Sequence, residues 1–199
     1  MVQTGIVILA AGSSSRLGKP KQLLAIDGKT LLQRVCDAAT AAQLAPIVVV
    51  LGANADKILP QDNDSQINFV VNSNWAQGMS SSITAGLKRI AAHESQVKSV
   101  IISVCDQPYI SSELFTSLIN KHNETKKGII ASQYGGTIGT PVLFARKYFE
   151  DLMLLTGENG AKGLITMQAT DLATISFEQG NIDIDTESDY QSLLNKQHD

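Results

Sequence analysis

The residue types best suited to chemistry lie near the start of the chain, in a loop of small residues followed by cations. The apolar run Ile6–Ala10 has the composition of a buried strand, and it leads into the loop Gly12–Gly18. Small residues let a backbone approach a ligand closely, and consecutive N–H groups in such a loop form a concave site for an anion. Arg16, Lys19 and Lys21 add positive charge. This stretch therefore predicts a grip on phosphate groups, and we expect a nucleotide as the ligand.

The loop differs from the two common phosphate-binding patterns. Five residues separate Gly12 from Gly18, and Pro20 stands where the P-loop has its metal-binding Ser or Thr. The G-x-G-x-x-G pattern of dinucleotide-binding folds is absent. A P-loop kinase or NTPase is therefore disfavoured. The alternative to phosphate binding is that the two glycines only shape a turn beside solvated cations.

Two acidic positions are candidates for binding a metal. Asp106 directly follows an apolar run, and Asp183 and Asp185 alternate with apolar residues late in the chain, which puts both on one face of an extended segment. Mg²⁺ prefers one or two carboxylates together with phosphate oxygens and water. If Asp106 and Asp185 meet, one Mg²⁺ ion could lie between them and a phosphate held by Arg16 and Lys21. The alternative is that these acids only cap the turns and the helix that follow them.

The segment Asn72–Ser82 is an unusual connection. It carries the only tryptophan, Trp75, then Gly78 and the three consecutive serines Ser80–Ser82. Ser hydroxyls and free N–H groups at a helix start hold anions or hydrogen-bond the edge of a base. Trp75 either stacks on a base or anchors the loop to the core. No Ser-His-Asp or Cys-His arrangement can be assembled, so the cations and carboxylates favour direct phosphoryl or nucleotidyl transfer.

The composition of the whole chain is that of a globular protein. The 199 residues are 43% hydrophobic and 18% charged, and we assign residues 1–199 to a single domain. The net charge of −3, without a basic block, argues against a nucleic-acid partner. Neither a bilayer-spanning run nor a signal peptide is evident, so we expect a cytoplasmic protein with no membrane partner. Cys36 and Cys105 suit core positions, and His93, His122 and His198 form no metal-ligand pattern.

Strand and helix patterns alternate along the chain, which predicts an α/β fold with a mainly parallel sheet covered on both faces. Ligands of such sheets bind beyond the carboxyl ends of the strands, so the glycine loop, Asn72–Ser82 and Asp106 should converge at one edge. We expect strands at Ile6–Ala10, Pro46–Leu51, Ile67–Val71, Val100–Cys105, Ile129–Ser132, Val142–Phe144, Leu172–Phe177 and Ile182–Ile184. We expect helices after Thr30, over Ser80–Ala92, from Ser111 or Ser112, and over Lys147–Leu155, Gly160–Gln168 and Glu187–Asn195.

Separated motifs together resemble one family. The loop Leu9–Leu24 resembles the signature loop of MobA-like nucleotidyltransferases. Asn72–Leu87, with Trp75-Ala76-Gln77-Gly78-Met79, resembles the subgroup that contains molybdenum cofactor cytidylyltransferase, and Cys105-Asp106-Gln107-Pro108 resembles the metal motif of that subgroup. Residues 140–144, 156–162 and 183–186 complete the order, so the resemblance spans nearly the whole chain.

The resemblance implies a Rossmann-like three-layer sandwich of the nucleotide-diphosphosugar transferase type, with Mg²⁺ as cofactor. The Ala10-Ala11-Gly12 form of the loop resembles users of CTP more than users of GTP. By the resemblance, Arg16, Lys21 and Asp106 would be catalytic, and Asp106 and Asp185 would bind the metal. The nucleotide would be bound by Leu9, Ala10, Ala11, Gly12, Ser13, Arg16, Lys21, Gly78, Ser80, Ser81 and Ser82.

The function that follows is transfer of CMP from CTP to a phosphate-bearing acceptor, with release of pyrophosphate. The resemblance favours molybdopterin as the acceptor and a molybdoenzyme as a possible partner, although Ser80 stands where the subgroup often has Gly. One alternative keeps the chemistry and uses a sugar or alcohol phosphate. Another is a non-catalytic accessory protein in molybdoenzyme maturation, which has less need of the metal carboxylates.

Overall fold

The apolar runs of the sequence become the strands of one mixed sheet. A computed structural model describes residues 3–59, 66–93 and 96–195. The strands are β1 (Gln3–Ala10), β2 (Ala25–Ile26), β3 (Lys29–Thr30), β4 (Ile47–Leu51), β5 (Ile67–Val71), β6 (Val97–Val104), β7 (Ile129–Tyr134), β8 (Thr137–Ala145) and β9 (Leu172–Ser176). The helices are α1 (Leu31–Ala41), α2 (Ala55–Ile58), α3 (Met79–His93), α4 (Ser112–Thr125), α5 (Phe149–Met153), α6 (Lys162–Met167) and α7 (Glu187–Asn195).

Seven strands form the sheet in the order β5-β4-β1-β6-β8-β7-β9, while β2 and β3 pair with each other. Strands β5, β4, β1 and β6 are parallel. Strand β8 is antiparallel to both β6 and β7, and β9 is parallel to β7. The expected α/β fold with a mainly parallel mixed sheet is confirmed. The strand order changes direction between β1 and β6, which is where doubly wound sheets bind their ligands.

Side chains of β1 alternate between the two faces of the sheet, and helices cover each face. Ile6 and Ile8 pack in a core with residues of α1 and α4, while Val7 and Leu9 pack in a second core with residues of α3 and α5. A third group, which we call the Leu17 cluster, consists of Leu17, Leu24, Ile26, Leu31, Ile184 and Leu193. The Leu17 cluster fixes the end of the glycine loop against the C-terminal part of the chain, because burial of apolar surface holds its members together.

Two helices begin where the sequence predicts. Thr30 Oγ1 accepts a hydrogen bond from the Gln33 N–H at 3.1 Å, and the Gln33 side chain accepts one from the Thr30 N–H at 2.9 Å. Ser111 Oγ accepts from the Leu114 N–H at 3.3 Å at the start of α4. These contacts satisfy N–H groups that the first turn of a helix leaves without intrahelical partners.

The late part of the chain departs from the expected elements. The expected strand Ile182–Ile184 is wrong, since residues 182–185 belong to no strand. This segment lies past the carboxyl end of β6, where the Ile184 N–H donates to the Asp106 carbonyl at 3.0 Å, so it runs beside a loop and not along a strand. The expected helices Lys147–Leu155 and Gly160–Gln168 exist only as the shorter α5 and α6.

None of the helices in the three described segments combines enough length with enough apolar character to span a bilayer.

Close packing of α3 on the sheet depends on Gly86. A Cβ atom at this position would lie 2.4 Å from Val7 Cγ1 and 3.1 Å from Val50 Cγ2, both on buried strands. Gly163 in α6 is a useful contrast, because a Cβ atom there would have nothing within 4 Å. The helix that carries part of the candidate site therefore sits directly on β1 and β4.

The first prediction compares alanine at these two glycines. Gly86→Ala should lower the free energy of unfolding by about 1–3 kcal/mol, because the strands cannot yield to the added methyl group. Gly163→Ala should raise it by up to about 1 kcal/mol, because alanine favours a helix more than glycine. Urea denaturation measures both, and a Gly86→Ala protein as stable as the parent would contradict the packing described.

Candidate active site

Three distant parts of the chain meet at the carboxyl edge of the sheet. Lys21 Nζ lies 2.5 Å from Asp106 Oδ2 and 3.0 Å from Asp185 Oδ1. Arg16 Nη2 lies 2.7 Å from Asp185 Oδ2. Asp106 follows β6, and Asp185 follows the segment Ile182–Ile184. Both cations come from the connection after β1. The sequence analysis left open whether Asp106 and Asp185 meet, and in the structure both carboxylates contact the ammonium of Lys21.

The backbone of the glycine loop delivers Lys21 to this position. Leu17 and Gly18 donate N–H groups to the Ser14 carbonyl at 3.0 and 3.1 Å. Gly18 has φ of +71°, a conformation that glycine adopts without the steric cost that a Cβ atom brings. The Lys21 N–H then donates to Ser14 Oγ at 3.1 Å, where a short 3₁₀ helix begins. The loop folds back on itself, so Lys21 faces the sheet edge.

The charged groups at this edge shift one another's pKa values. Burial alone would lower the pKa of the Lys21 ammonium, but the carboxylates of Asp106 and Asp185 raise it above its ordinary value. Burial would raise the pKa of Asp185, but Lys21 and Arg16 hold it below its usual range. Burial, followed by repulsion from Asp106 and Asp185, raises the pKa of Asp183 to about 6. Asp183 therefore takes up a proton when the pH falls below about 6, while Asp185 stays charged to lower pH.

A cleft of 580 Å³ opens beside these charges. It is large enough for a nucleotide, since ligand clefts span about 300–1,000 Å³. Among the residues predicted to act on a nucleotide, it is lined by Leu9, Ala10, Ala11, Gly12, Ser13, Arg16, Lys21, Gly78, Ser82 and Asp106. Asp185 lines an adjoining groove of 180 Å³, which shares Gly12, Ser13, Arg16 and Lys21 with the cleft.

Two predicted nucleotide contacts do not line the cleft. The side chain of Ser80 is fully buried, and its N–H donates to the Gly157 carbonyl at 3.3 Å. Ser81 Oγ donates to the carbonyls of Asn74 and Gly78, and Ser81 lines a neighbouring cleft of 330 Å³ instead. The three serines occupy consecutive positions of a helix turn, so they point in different directions. Of the three, only Ser82 reaches the cleft.

Several residues to which the sequence analysis assigned no role in the site also line the cleft. They are Gln22, Ala76, Met79, Val104, Cys105 and Glu158. Glu158 comes from the loop before α6, and Gly78 permits that loop to approach. Gly78 has φ of +100°, and a Cβ atom there would lie 2.6 Å from the Gly157 carbonyl. Gln22 directly follows Lys21 in the sequence, and this position is the signal that could have placed it in the site.

Trp75 fits both interpretations that the sequence allowed. A Cβ atom on Gly52 would lie 2.7 Å from Trp75 Cβ and 2.6 Å from the Ala11 carbonyl, so the Cβ end of the Trp75 side chain packs against the backbone of Gly52. The residue is nevertheless 36% exposed and lines the cleft. Trp75 is therefore anchored, and its exposed surface can still contact a ligand.

Cysteine and histidine contribute no metal centre in the part of the chain that the structure describes. Cys36 and Cys105 are buried, as expected, and burial raises the pKa of the Cys105 thiol. His198 and the side chain of His93 lie outside the described residues, and His122 Nδ1 lies 2.7 Å from the Lys127 carbonyl. Within the described ranges, no group of three or more His, Cys, Asp and Glu side chains could hold a metal ion.

The carboxylates of Asp106 and Asp185 nevertheless fit a divalent cation. Their oxygens converge on one cationic atom, Lys21 Nζ, at 2.5 and 3.0 Å, so both can reach a single ion. Oxygen ligands suit Mg²⁺ and Mn²⁺, and Mg²⁺ needs only one or two carboxylates when phosphate and water supply the remaining ligands. Lys21 shares these carboxylates, so binding of a metal requires its ammonium to move.

A comparison of two ion pairs tests how strongly Lys21 and Asp106 interact. The Lys21–Asp106 and Lys29–Asp37 pairs both have N···O distances of 2.5 Å, but their side chains are 16% and 20% exposed in the first pair and 61% and 55% in the second. In double-mutant cycles with Lys→Met and Asp→Asn, we expect a coupling free energy of about 1–3 kcal/mol for the site pair. The exposed pair should give about 0.2–1 kcal/mol. Equal coupling free energies in the two cycles would contradict a stronger interaction between Lys21 and Asp106.

Comparison of the sequence with known proteins identifies its relatives. Residues 6–172 match the MobA-like NTP transferase domain. The chain is 30% identical over 200 residues to nicotine blue oxidoreductase of Paenarthrobacter nicotinovorans, which covers 94% of this chain and 95% of that protein. It is 26% identical over 138 residues to 2-C-methyl-D-erythritol 4-phosphate cytidylyltransferase of Aliivibrio fischeri, which covers 68% of this chain and 55% of that protein.

Solved structures share the fold over its whole length. Rv0371c from Mycobacterium tuberculosis H37Rv is 27% identical, with a TM-score of 0.82 and coverage of 98% of each chain. The same protein in complex with manganese gives a TM-score of 0.79 at 25% identity, over 97% of this chain and 98% of that one. Molybdopterin-guanine dinucleotide biosynthesis protein A from Archaeoglobus fulgidus, at 15% identity, a TM-score of 0.67 and coverage of 98% of each chain, shares the fold alone. With a family match over most of its length, this chain belongs to the MobA-like NTP transferase domain family.

Proposed function

We propose that the protein transfers CMP from CTP to a phosphate-bearing acceptor, favouring molybdopterin, and releases pyrophosphate. The observation that carries this proposal is the contact of Lys21 with both Asp106 and Asp185, beside a loop of small residues and a cleft of 580 Å³. Binding of a triphosphate requires cations and N–H groups, and the loop at the carboxyl end of β1 provides both. The carboxylates give the site a reason to bind a metal, which a protein that only stores nucleotide does not need.

In the proposed reaction, an oxygen of the acceptor phosphate forms a bond to the α-phosphorus of CTP. The bond from that phosphorus to the oxygen bridging the α- and β-phosphates breaks, and pyrophosphate leaves with the electron pair. Lys21 and Arg16 stabilise the negative charge on the α-phosphate and on the departing pyrophosphate. A phosphate is already a competent nucleophile at neutral pH, so the site requires no strong general base. Positioning and charge neutralisation supply the catalysis.

Asp106 and Asp185 would hold the divalent cation. When bound, Mg²⁺ or Mn²⁺ supplies positive charge to the phosphate oxygens. Lys21 would exchange its contacts with the carboxylates for contacts with phosphate, so that its charge is not lost from the site. The reported manganese complex of Rv0371c supports a divalent cation in a relative of this chain.

The choice of CTP and of the acceptor rests on likeness. The Ala10-Ala11-Gly12 sequence at the end of β1 resembles that of CTP users, and one relative is a cytidylyltransferase. The resemblance of Trp75–Met79 to the molybdenum cofactor subgroup favours molybdopterin, in the cytoplasm and with a molybdoenzyme as possible partner. A sugar or alcohol phosphate is the alternative acceptor, because the relative from Aliivibrio fischeri is named for such a substrate.

A second candidate function is oxidoreduction of a small molecule in the same cleft. It is favoured by the 30% identity to nicotine blue oxidoreductase over nearly the full length of both chains. The absent G-x-G-x-x-G pattern argues against the usual way of binding a dinucleotide, but a different mode could use the glycine loop. Oxidation of NADH or NADPH with a panel of dyes tests this candidate in parallel with nucleotidyl transfer.

Pyrophosphate release tests the proposed function. The purified protein with Mg²⁺ should release pyrophosphate from CTP in the presence of molybdopterin and more slowly from GTP, ATP or UTP. Asp106→Asn should reduce this rate by at least about 100-fold, because the site loses a charge that the reaction needs. Asp37→Asn, which removes an exposed carboxylate that lines neither cleft, should retain the parent rate.

The outcomes separate the alternatives. Pyrophosphate release with sugar or alcohol phosphates but not with molybdopterin would replace the acceptor. Binding of CTP without turnover on any acceptor would indicate an accessory protein, and a preference for GTP would overturn the base assignment. Wild-type turnover by Asp106→Asn would contradict the role of Asp106.

Binding of metal in the absence of nucleotide tests the sharing of carboxylates. Lys21→Met should raise the affinity for Mn²⁺ alone by roughly tenfold, because the two carboxylates then lack their internal cation. The same variant should lose activity with CTP. Lys29→Met, at the exposed pair, should leave the Mn²⁺ affinity unchanged. Calorimetric titration measures these affinities, and weaker Mn²⁺ binding by Lys21→Met would contradict the competition.

A further inference from the structure

Gln22, the residue after Lys21, has a side chain that no step of the proposed reaction uses. It is only 1% exposed, although it is polar, and it lines the cleft. Its Nε2 donates one hydrogen bond to the Ala10 carbonyl at 2.8 Å and another to the Gly12 carbonyl at 3.2 Å. One buried amide group therefore binds the last carbonyl of β1 and the first carbonyl of the glycine loop.

These two hydrogen bonds fix which groups the loop can present to a ligand. In a trans peptide, the carbonyl oxygen and the N–H of the next residue point in opposite directions. Holding the Ala10 and Gly12 carbonyls toward Gln22 therefore directs the N–H groups of Ala11 and Ser13 away from it. The carbonyl between them, that of Ala11, accepts a hydrogen bond from the Ala53 N–H at 3.1 Å. All three carbonyl oxygens are thus bound by donors of the protein itself.

The other end of the Gln22 side chain indicates why the residue is a glutamine. Its Oε1 is buried and has no hydrogen-bond partner among the described residues. An unpaired buried oxygen is unfavourable, and an apolar side chain of the same size would avoid it. Filling space in the core therefore does not account for this residue, whereas the two bonds from Nε2 do.

We propose that Gln22 is a positioning residue for the triphosphate: it engages the carbonyl oxygens of Ala10 and Gly12 in hydrogen bonds, so that the ligand meets N–H groups of the loop instead. This inference rests on the proposed function, because it assumes that the loop binds phosphate. Carbonyl oxygens carry partial negative charge and would repel a triphosphate, while N–H groups attract it. Gln22 acts through the loop backbone and needs no contact with the reacting atoms.

The variant Gln22→Met tests the proposal, because methionine has a similar size and lacks the donors. Its affinity for CTP and for inorganic tripolyphosphate should fall on the order of tenfold. Its affinity for cytidine, which has no phosphate, should stay at the parent value. In turnover, KM for CTP should rise more than kcat falls. A loss limited to stability, with parent affinity for tripolyphosphate, would overturn the proposal.

Ser132→Ala is the control for loss of a buried bond from a side chain to a carbonyl. Ser132 is buried, and its Oγ donates to the Pro141 carbonyl at 2.8 Å. Ser132 does not line the cleft. This variant should have the parent affinity for tripolyphosphate, whatever its effect on stability. A loss of affinity equal to that of Gln22→Met would mean that the effect is not specific to the glycine loop, and would overturn the proposal.

A measurement on the unaltered protein covers the case in which Gln22→Met does not fold. In nitrogen-15 NMR spectra, addition of tripolyphosphate should shift the backbone amide resonances of Ala11 and Ser13. The resonances of the Gln22 side-chain amide should stay in place, because its hydrogen bonds to the Ala10 and Gly12 carbonyls are kept. Unchanged Ala11 and Ser13 resonances on a protein that binds tripolyphosphate would overturn the proposal. A parent protein that binds neither tripolyphosphate nor any nucleoside triphosphate would instead overturn the proposed function.

Discussion

The arrangement of the sheet edge depends on one ammonium group shared by two carboxylates. Lys21 is paired with Asp106 and Asp185, and its side chain and that of Asp106 are largely removed from water. Two carboxylates that close to each other repel, and in a partly buried site this repulsion is costly without a cation between them. The parallel neighbours β1 and β6 bring Lys21 to Asp106, while the Leu17 cluster brings the segment that carries Asp185. Much of the fold at this edge thus serves to place three charges.

Under the proposed function, the same charges would respond to ligands. Lys21 neutralises the acids, and a triphosphate would offer its ammonium a second set of negative oxygens. A cation bound with the nucleotide would then pair with the carboxylates, so the local charge would stay balanced before and after binding. The glycine loop would support this exchange, because Gln22 and Ala53 already bind the carbonyl oxygens of Ala10, Ala11 and Gly12.

Sequence reasoning succeeded where local pattern decides the structure. Buried strands such as β1 and β4 are continuous apolar runs, and the rule that ligands collect beyond parallel strands predicted that the glycine loop and Asp106 would meet. It failed where distant contacts decide. The segment Ile182–Ile184 has strand composition but lies beside the Asp106 loop, and Ser80 is buried, with its backbone N–H bound to the Gly157 carbonyl. The two bonds of Gln22 depend on loop geometry that no spacing rule describes.

A crystal structure with a non-hydrolysable CTP analogue and Mn²⁺ tests the central claim most directly, namely that Lys21, Asp106 and Asp185 form the site of the α-phosphate. We expect anomalous scattering from manganese between Asp106 and Asp185, with Lys21 Nζ in contact with a phosphate oxygen and the carbonyls of Ala10 and Gly12 still bound to Gln22. Lys21 still paired with both carboxylates, and the nucleotide bound elsewhere or not at all, would contradict it.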